Sequence, residues 1–360
     1  MLTSLAGLYH AVESSLPPEL VDAASRASLA RVTHGAPGCV ETFGFEARLG
    51  GNAPRVDFGV GLSRDSGAHR FLAEDGADAN LEAALREQEG WRRIRAFARH
   101  WIAAGDDVQR RMPLLFLEFD APAPGEPLPV PSVFIGMDWT AAELSLAARP
   151  KKEPQPGAAP GLSDALGALT VLRGAHLGPS TEADLANCFA LLPAGGLILH
   201  VAAMLGRSGE PVRVSACVPR ACTAEYLQAI GWRGDRNHLE EAVAALAPHA
   251  DFETPSALVQ LDFDLSAGVG ERIGLGLRPR EGGCWGDLLR ALVALGLCDA
   301  RSADALLSWP GSAPAFVDGR RGVMPCFLDR EIFHAKVAIG SGDVAAAKAY
   351  FGAIPRPVGR

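Results

Sequence analysis

The sequence predicts an α+β fold of repeated helix–helix–strand–strand units, with an antiparallel sheet that is closed or nearly closed and helices outside it. Three observations predict this fold. Short segments alternate between apolar and polar residues, as half-buried strands do. These segments follow one another in pairs, and strands joined by a hairpin pair antiparallel. Helix-like segments separate the pairs, so a doubly wound parallel sheet that binds nucleotides is not expected.

The helix-like segments carry apolar residues at spacings of three and four, and some begin at a residue that suits a helix start, as Asn80 does. In chain order they are Pro17–Ala30, Asn80–Ala103, Ser163–Val171, Thr181–Ala190, Thr223–Ile230, Leu239–Leu246, Leu288–Leu295, Ser302–Leu307 and a closing helix, Asp343–Phe351.

The strand-like segments alternate with a period of two. The first two flank Gly50-Gly51-Asn52, which is a hairpin signal. In chain order they are Val40–Arg48, Arg55–Leu62, Leu114–Asp120, Ser132–Met137, Leu197–Met204, Val212–Val218, Leu258–Leu265, Arg272–Arg278 and His334–Ile339.

A segment rich in proline and glycine, residues 148–161, divides the chain. Such a composition is typical of a linker. It separates an N-terminal helix and hairpin half, residues 1–147, from a C-terminal half of the same kind, residues 162–360. The alternative is one continuous barrel domain, which a chain of 360 residues can form.

Composition excludes several classes of partner. The formal net charge is -8, whereas nucleic-acid-binding proteins usually carry a basic surface. No apolar run is long enough to span a bilayer, and the N-terminus lacks the pattern of a signal peptide. The seven cysteines are scattered, with no C-x-x-C pair, which suits a reducing compartment. We therefore expect a cytoplasmic protein that binds neither nucleic acid nor membrane.

One face of the alternating strands gathers charged residues and glycines. The apolar face must be covered, and the amphipathic helices are available to cover it. The polar face is then the lumen of a closed barrel, a groove, or a surface in contact with water. The candidate ligand contacts on this face are Arg213, Arg272, Arg278, His334 and Lys336.

Local motifs for catalysis, metal binding or nucleotide binding are absent from the sequence: it contains no H-E-x-x-H, G-x-S-x-G or Walker A pattern. We predict no catalytic residue, metal or cofactor, although a site assembled in space remains open. Glu118 with Asp120 and Asp262 with Asp264 are carboxylate pairs that suit Mg²⁺ or acid–base chemistry, or simply a polar surface. Trp309 is either a core residue or an anchor for a partner.

The repeated order of helices and strand pairs resembles the ten-stranded barrel of ABBA-type aromatic prenyltransferases. This architectural resemblance covers most of the chain. It implies that an isoprenyl diphosphate could bind to cations on inner strand faces and that Glu46 could be the acid/base glutamate. The family shields its site with tyrosines, whereas none of the three tyrosines falls on a predicted strand here. The cations are Arg48, Arg55, Arg213, Arg272, Arg278 and Lys336.

Several motifs carry a second resemblance, which covers roughly the C-terminal half. They are Gly231-Trp232-Arg233-Gly234, Gly296-Leu297-Cys298, Ser308-Trp309-Pro310-Gly311, Phe333-His334-Ala335-Lys336-Val337 and Ala347-Lys348-Ala349-Tyr350-Phe351-Gly352. In them the chain is similar to the bacterial peptide-binding proteins of crocagin biosynthesis. The resemblance implies a non-catalytic protein that holds a ribosomally made precursor peptide while partner enzymes modify it.

This peptide-binding role is the leading hypothesis. A peptide carries charges of both signs, so it suits a face of alternating arginines and aspartates better than a diphosphate does. The peptide could also add to an exposed strand edge. The partners are the precursor peptide and the modifying enzymes, Trp309 is a sixth candidate contact, and a homodimer is left open. The alternatives are a prenyltransferase-like enzyme acting on an aromatic or peptide substrate, and a scaffold that binds nothing in its lumen.

Overall fold

The computed structural model describes most of the chain. The described residues are 3–35, 39–40, 42–50, 56–63, 72–73, 87–103, 111–122, 126–137, 161–319, 322–340 and 344–358. The strands within them are β1 (Thr3–Ser4), β2 (Cys39–Val40), β3 (Thr42–Arg48), β4 (Val56–Ser63), β5 (Leu114–Phe119), β6 (Ser132–Gly136), β7 (Leu197–Ala203), β8 (Val212–Pro219), β9 (Leu258–Leu265), β10 (Ile273–Leu277), β11 (Gly311–Gly319), β12 (Gly322–Ile339) and β13 (Val344–Pro357).

The α-helices of these residues mostly come in pairs ahead of a pair of strands. They are α1 (Leu5–Glu13), α2 (Ala23–Gly35), α3 (Glu89–Ala103), α4 (Leu162–Arg173), α5 (Pro179–Ala190), α6 (Thr223–Ala229), α7 (Arg236–Leu246), α8 (Trp285–Ala294) and α9 (Ala300–Leu307). None of them is long and apolar enough to cross a membrane.

Ten strands close into an antiparallel barrel. Neighbours around it follow the chain from β3 to β10, then β12 and β13, and β13 returns to β3. The sheet closes where β10 pairs with residues 335–339 of β12. Strands from both sides of the 148–161 segment belong to this one barrel, and residues 148–160 lie outside the described part of the chain. The predicted closed antiparallel sheet is confirmed.

The hydrophobic core lies between the outer surface of the barrel and the helices. On β9 the outward residues Val259, Leu261 and Phe263 are buried together with the apolar sides of the surrounding helices. An aromatic cluster belongs to this layer, in which the ring centroid of Trp309 lies 5.2 Å from that of Phe351. The strands thus keep one face in the apolar layer and turn the other inward, as their alternation predicts.

Neighbouring strands of the barrel run in opposite directions. The first residues of β3, β5 and β9 and the last residues of β4 therefore lie at the same end of the barrel. We name this the Thr42 end, and the opposite one the Arg48 end. The first part of β12 pairs with β11 rather than with β10, from Gly311↔Arg330 to Gly319↔Gly322. This hairpin therefore continues past the barrel at the Thr42 end.

The C-terminal helix predicted for Asp343–Phe351 is wrong. Residues Val344–Pro357 form β13, which pairs with β3 and β12. The alanines favour a helix, but Ala347, Ala349 and Phe351 are buried toward the helices in strand alternation. Pairing on both sides overrides local propensity, and it places Tyr350 on a strand, contrary to the prediction that no tyrosine lies on one.

Other elements also differ from the prediction. The helix α1 was not predicted, and α2 begins at Ala23 because Pro17 to Leu20 form turns. Strand β11 and the first part of β12 were missed because Pro314 and Pro325 disfavour strands. The helix predicted from Asn80 is described only from Glu89 onward as α3, and Asn80 itself lies outside the described residues.

The core position of Trp309 generates a stability prediction. Its ring is fully buried, and its Nε1–H donates to the carbonyls of Glu331 and Gly352 at 3.2 and 3.1 Å. Trp309→Ala is expected to lower the free energy of unfolding by about 3–5 kcal/mol, since it leaves a cavity and removes both hydrogen bonds. Denaturant unfolding measures this loss, with Trp309→Phe as a control that retains a ring and loses less. A loss from Trp309→Ala below about 1 kcal/mol would contradict the assignment to the core.

Candidate functional site

The interior of the barrel, which we call the lumen, contains a cavity of about 170 Å³. Its lining includes Thr42, Leu114 and Leu258, so it lies toward the Thr42 end. An engineered cavity of about 150 Å³ holds benzene. The cavity therefore has room for one ring or one side chain.

Aromatic and aliphatic side chains form the wall of this cavity. Phe116, Phe134 and Phe333 line it together with Leu199 and Leu258. These side chains point inward although apolar residues of the barrel otherwise face the helices. The wall can hold an apolar group in contact with ring faces and edges.

Two irregularities in strand pairing enlarge this wall. The register shifts between Ile198 and His200 on β7, and between Ile332 and His334 on β12. A bulge inserts an extra residue and breaks strict alternation. Consequently the neighbours Leu199 and His200 both line the cavity, and so do Phe333 and His334.

The two cavity histidines are neutral at neutral pH. Burial lowers the pKa of His200 to about 4, and its ring lies edge-to-face with Phe116 and Phe134 at 5.5 and 6.3 Å. Burial, with Arg278 and Lys336 nearby, lowers the pKa of His334 well below its ordinary value. Neither imidazole carries charge into the cavity.

Ion pairs fill the lumen toward the Arg48 end. The Lys336 ammonium lies 2.9 Å from the Asp262 carboxylate, in a pair that is more than four-fifths buried. Arg213 and Asp264 are opposite each other on β8 and β9 and form two contacts, at 2.7 and 3.0 Å. Each cation neutralises a carboxylate here, as buried charges require.

A third pair joins Lys348 to Glu46. Burial alone would raise the pKa of Glu46, but the ammonium groups of Lys348 and Lys336 lower it to about 2. The Tyr350 hydroxyl also hydrogen-bonds this carboxylate. The Tyr350 ring stacks on His334 at a centroid distance of 4.1 Å and lies 4.8 Å from the Lys336 ammonium.

Glu118 shares its cation with a second carboxylate. Arg207 makes two contacts with Asp120, at 3.1 and 3.3 Å, and a single one with Glu118, at 3.1 Å. Burial and the nearby Glu46 carboxylate raise the pKa of Glu118 to about 7, although Arg213, Arg207 and Lys336 act in the opposite direction. Of these residues only Glu118, Glu46 and Lys336 line the cavity.

Glycines decide how much of the lumen stays open. A Cβ at Gly61 would lie 2.5 Å from the Thr42 hydroxyl, and one at Gly274 would lie 3.1 Å from the Lys336 side chain, so these glycines accommodate their neighbours. At Gly59, which is paired with Glu118 across the sheet, a Cβ would meet only the Leu117 carbonyl oxygen, at 3.8 Å. The space in front of Gly59 is therefore part of the cavity.

The structure brings together some, but not all, of the residues predicted as ligand contacts. Arg278, His334 and Lys336 line the cavity. Arg213 faces the lumen beyond the cavity lining, in its pair with Asp264. Arg272 is exposed just before β10 begins, and Trp309 lies in the core outside the barrel.

The remaining residues considered for a diphosphate lie elsewhere. Arg48 is exposed at the end of β3, and Arg55 lies outside the described residues. The two carboxylate pairs, for which a polar surface is one interpretation, face the lumen instead. Arg207 contacts Glu118 and Asp120, and Lys336 and Arg213 contact Asp262 and Asp264. In the described part of the chain, no group of three or more His, Cys, Asp and Glu residues is arranged to hold a metal ion.

Sequence reasoning missed the aromatic wall and Arg207. Phe116 and Phe134 belong to segments that are apolar on both faces, so alternation does not reveal which side chains point inward. Arg207 lies in the turn after β7, and nothing in its local sequence points to the lumen. Tyr350 was missed because its segment was assigned to a helix.

The sequence was compared with protein-family models and with curated proteins, and it matches none of them. Function must therefore be argued from the lumen itself.

The raised pKa of Glu118 predicts a specific dependence of stability on pH. A carboxyl whose pKa is raised on folding stabilises the folded state below its unfolded value, 4.5, and this contribution is lost as the pH rises through about 7. For this shift the loss is about 3 kcal/mol. His200 and His334 act in the opposite direction, because their lowered pKa values favour the folded state at higher pH.

A comparison with Glu118→Gln isolates the contribution of the Glu118 carboxyl to the pH dependence of stability, because the glutamine amide does not titrate. The variant is expected to gain up to about 3 kcal/mol of unfolding free energy relative to the native chain between pH 5 and pH 8. Urea unfolding at intervals of half a pH unit measures this difference. Asp164→Asn, which removes a carboxylate paired with Arg111 outside the barrel, should show no such trend. A constant difference for Glu118→Gln would exclude a raised pKa.

Proposed function

We propose that this chain is a non-catalytic binding protein for a ribosomally made precursor peptide, and that its barrel cavity receives one side chain of that peptide. The bound peptide would then be presented to partner enzymes of a natural-product pathway. The observation that carries the proposal is the lumen, a small cavity with an apolar wall and, deeper inside, a set of ion pairs that we call the floor. The floor consists of Lys336–Asp262, Lys348–Glu46 and Arg213–Asp264. The similarity of C-terminal motifs to crocagin-type proteins supports the choice of a peptide.

The size of the cavity favours a side chain over a larger ligand. Sites for drug-sized molecules usually enclose about 300–1,000 Å³, whereas this cavity has about 170 Å³. A prenyl transfer site must hold an isoprenyl chain, a diphosphate and an acceptor together. A single side chain needs no more room than the cavity offers.

The charges of the floor favour a ligand other than a diphosphate. Lys336, Lys348 and Arg213 each neutralise a carboxylate of the barrel. A diphosphate would have to compete for these cations and leave buried carboxylates unpaired, which costs about 3–5 kcal/mol for each broken pair. A peptide side chain can enter without breaking them.

The hairpin of β11 and β12 offers a surface for the rest of the peptide. It extends past the barrel at the end where the cavity lies, and Phe316, Val323 and Phe327 are exposed on it at 75%, 65% and 45%. Exposed apolar patches of this kind mark sites of interaction with a partner or a ligand. On its outer side β11 pairs with β1 only at Gly319 within the described residues. Helix α1 also packs against β11, so the part of this edge that an extended segment could pair with is the exposed one, residues 311–316.

Blocking the cavity provides a test of this function. If a short peptide is encoded beside this chain's gene, that peptide is expected to bind with measurable heat at micromolar concentration. Gly59→Leu fills the cavity from a position where a Cβ fits, so it should weaken binding at least tenfold without unfolding the barrel. Gly167→Leu is the matched control, because Gly167 is exposed on α4 with nothing within 4 Å of an added Cβ.

Two results of this titration would count against the proposal. Absence of heat at high micromolar concentration with the native chain would end the peptide-binding interpretation. Equal affinity of the Gly59→Leu and native chains for the peptide would show that the peptide binds outside the lumen.

A prenyltransferase-like enzyme is the second candidate, favoured by the closed barrel of ten strands and by Glu46, Glu118 and Tyr350 around its cavity. Incubation with isoprenyl diphosphates and aromatic or peptide acceptors, followed by mass spectrometry, tests it. A gain of an isoprenyl mass that disappears in Arg213→Ala or Lys336→Ala would support the enzyme. Because every cation of the floor is paired, we expect no mass gain.

A further inference from the structure

We infer that the group entering the cavity carries a positive charge, an ammonium or guanidinium on an apolar or aromatic stem, and that Glu118 binds it. This inference rests on the proposed function and specifies the side chain that the lumen accepts. The carboxylate lies in the cavity lining, whereas the guanidinium of Arg207, which partly neutralises it, does not. A ligand cation is thus the complementary partner for this part of the wall.

Competition for Arg207 distinguishes Glu118 from the other carboxylates of the cavity. Arg207 is held by two contacts to Asp120 and by one to Glu118. Asp262 has its own ammonium in Lys336, and Glu46 has its own in Lys348. Above the raised pKa of Glu118, about 7, one guanidinium shared between two carboxylates leaves an excess of negative charge. Glu118 is the member of the trio that faces the cavity.

Both cations of the cavity lining, Lys336 and Arg278, make their described contacts with groups other than Glu118. Lys336 is bound to Asp262, and the Arg278 guanidinium donates to the Phe333 carbonyl at 3.2 Å, at the Thr42 end. His200 and His334 are neutral, as their lowered pKa values require. Arg278 keeps its positive charge, because a carbonyl does not neutralise it, but the charges that act most on the Glu118 carboxyl are those of Glu46, Arg213, Arg207 and Lys336.

The remaining wall suits the stem of such a group. Phe116 precedes Glu118 by two residues on β5, so both project into the lumen from the same face. Phe134 lies beside Phe116 across the sheet. Aromatic rings attract cations through their faces and bury apolar stems. Gly59 leaves the approach to the carboxylate open.

Three small probes of nearly equal shape test the charge directly. Benzylamine, benzyl alcohol and benzoate share one ring, which fits the cavity, and differ in the charge of the attached group. Binding is measured at pH 8 by changes in the protein's NMR spectrum on titration, at constant ionic strength. Benzylamine is expected to bind at least tenfold more tightly than benzyl alcohol, and benzoate more weakly than both.

Variants locate the site of that preference. Glu118→Gln should weaken benzylamine about tenfold and change benzyl alcohol by less than about twofold, because only the ammonium uses the charge. Gly59→Leu should remove binding of all three probes. Asp164→Asn changes the net charge equally but lies outside the barrel, and it should leave all three affinities unchanged.

The outcomes separate this inference from the proposed function. Equal affinity for the three probes, a preference for benzoate, or no binding of any of them at millimolar concentration overturns the cationic ligand. The proposed function survives that result if the peptide still binds and Gly59→Leu still weakens it. Preferential benzylamine binding without peptide binding supports the cation site and contradicts the proposal that the chain binds a peptide.

Discussion

The pairing of β10 with the last part of β12 is the interaction on which the rest of the structure depends. It joins the two ends of a sheet whose strands otherwise follow the chain order. An open sheet could leave its polar face in water, whereas a closed one places the same side chains in its interior. Removing charged groups from water is costly unless they are paired. The ion pairs of Arg213, Lys336 and Lys348 are therefore a consequence of closure as well as a feature of the lumen.

The lumen is polar at one end and apolar at the other, and this asymmetry gives it a direction. Paired charges occupy the part toward the Arg48 end, whereas the aromatic wall lies toward the Thr42 end. Glycines tune the remaining space: those at Gly61 and Gly274 accommodate neighbouring side chains, and only the space at Gly59 opens in front of Glu118. The cavity therefore depends on the missing side chain at Gly59 as well as on the side chains that line it.

The same barrel can serve binding or chemistry, because function depends on the site and not on the fold. In this chain the balance between cations and carboxylates is the deciding quantity. A diphosphate needs cations in excess, and here each cation named in the floor contacts a carboxylate. Arg207 contacts two carboxylates, those of Glu118 and Asp120. This balance is the reason for proposing a small ligand group that is neutral or positively charged.

The sequence by itself determined the fold class, most of the helices and strands, and the sidedness of the strands, because alternation and helical spacing are local patterns. It also selected Arg278, His334 and Lys336, whose polar side chains interrupt or flank apolar positions. It did not identify β13, whose alanine-rich segment favours a helix until two neighbouring strands pair with it. Nor did it place Phe116, because a segment apolar on both faces has no visible inner side. Tertiary structure alone decided which carboxylate shares a cation and where bulges turn consecutive residues such as Phe333 and His334 into the lumen, since both depend on contacts between residues far apart in the chain.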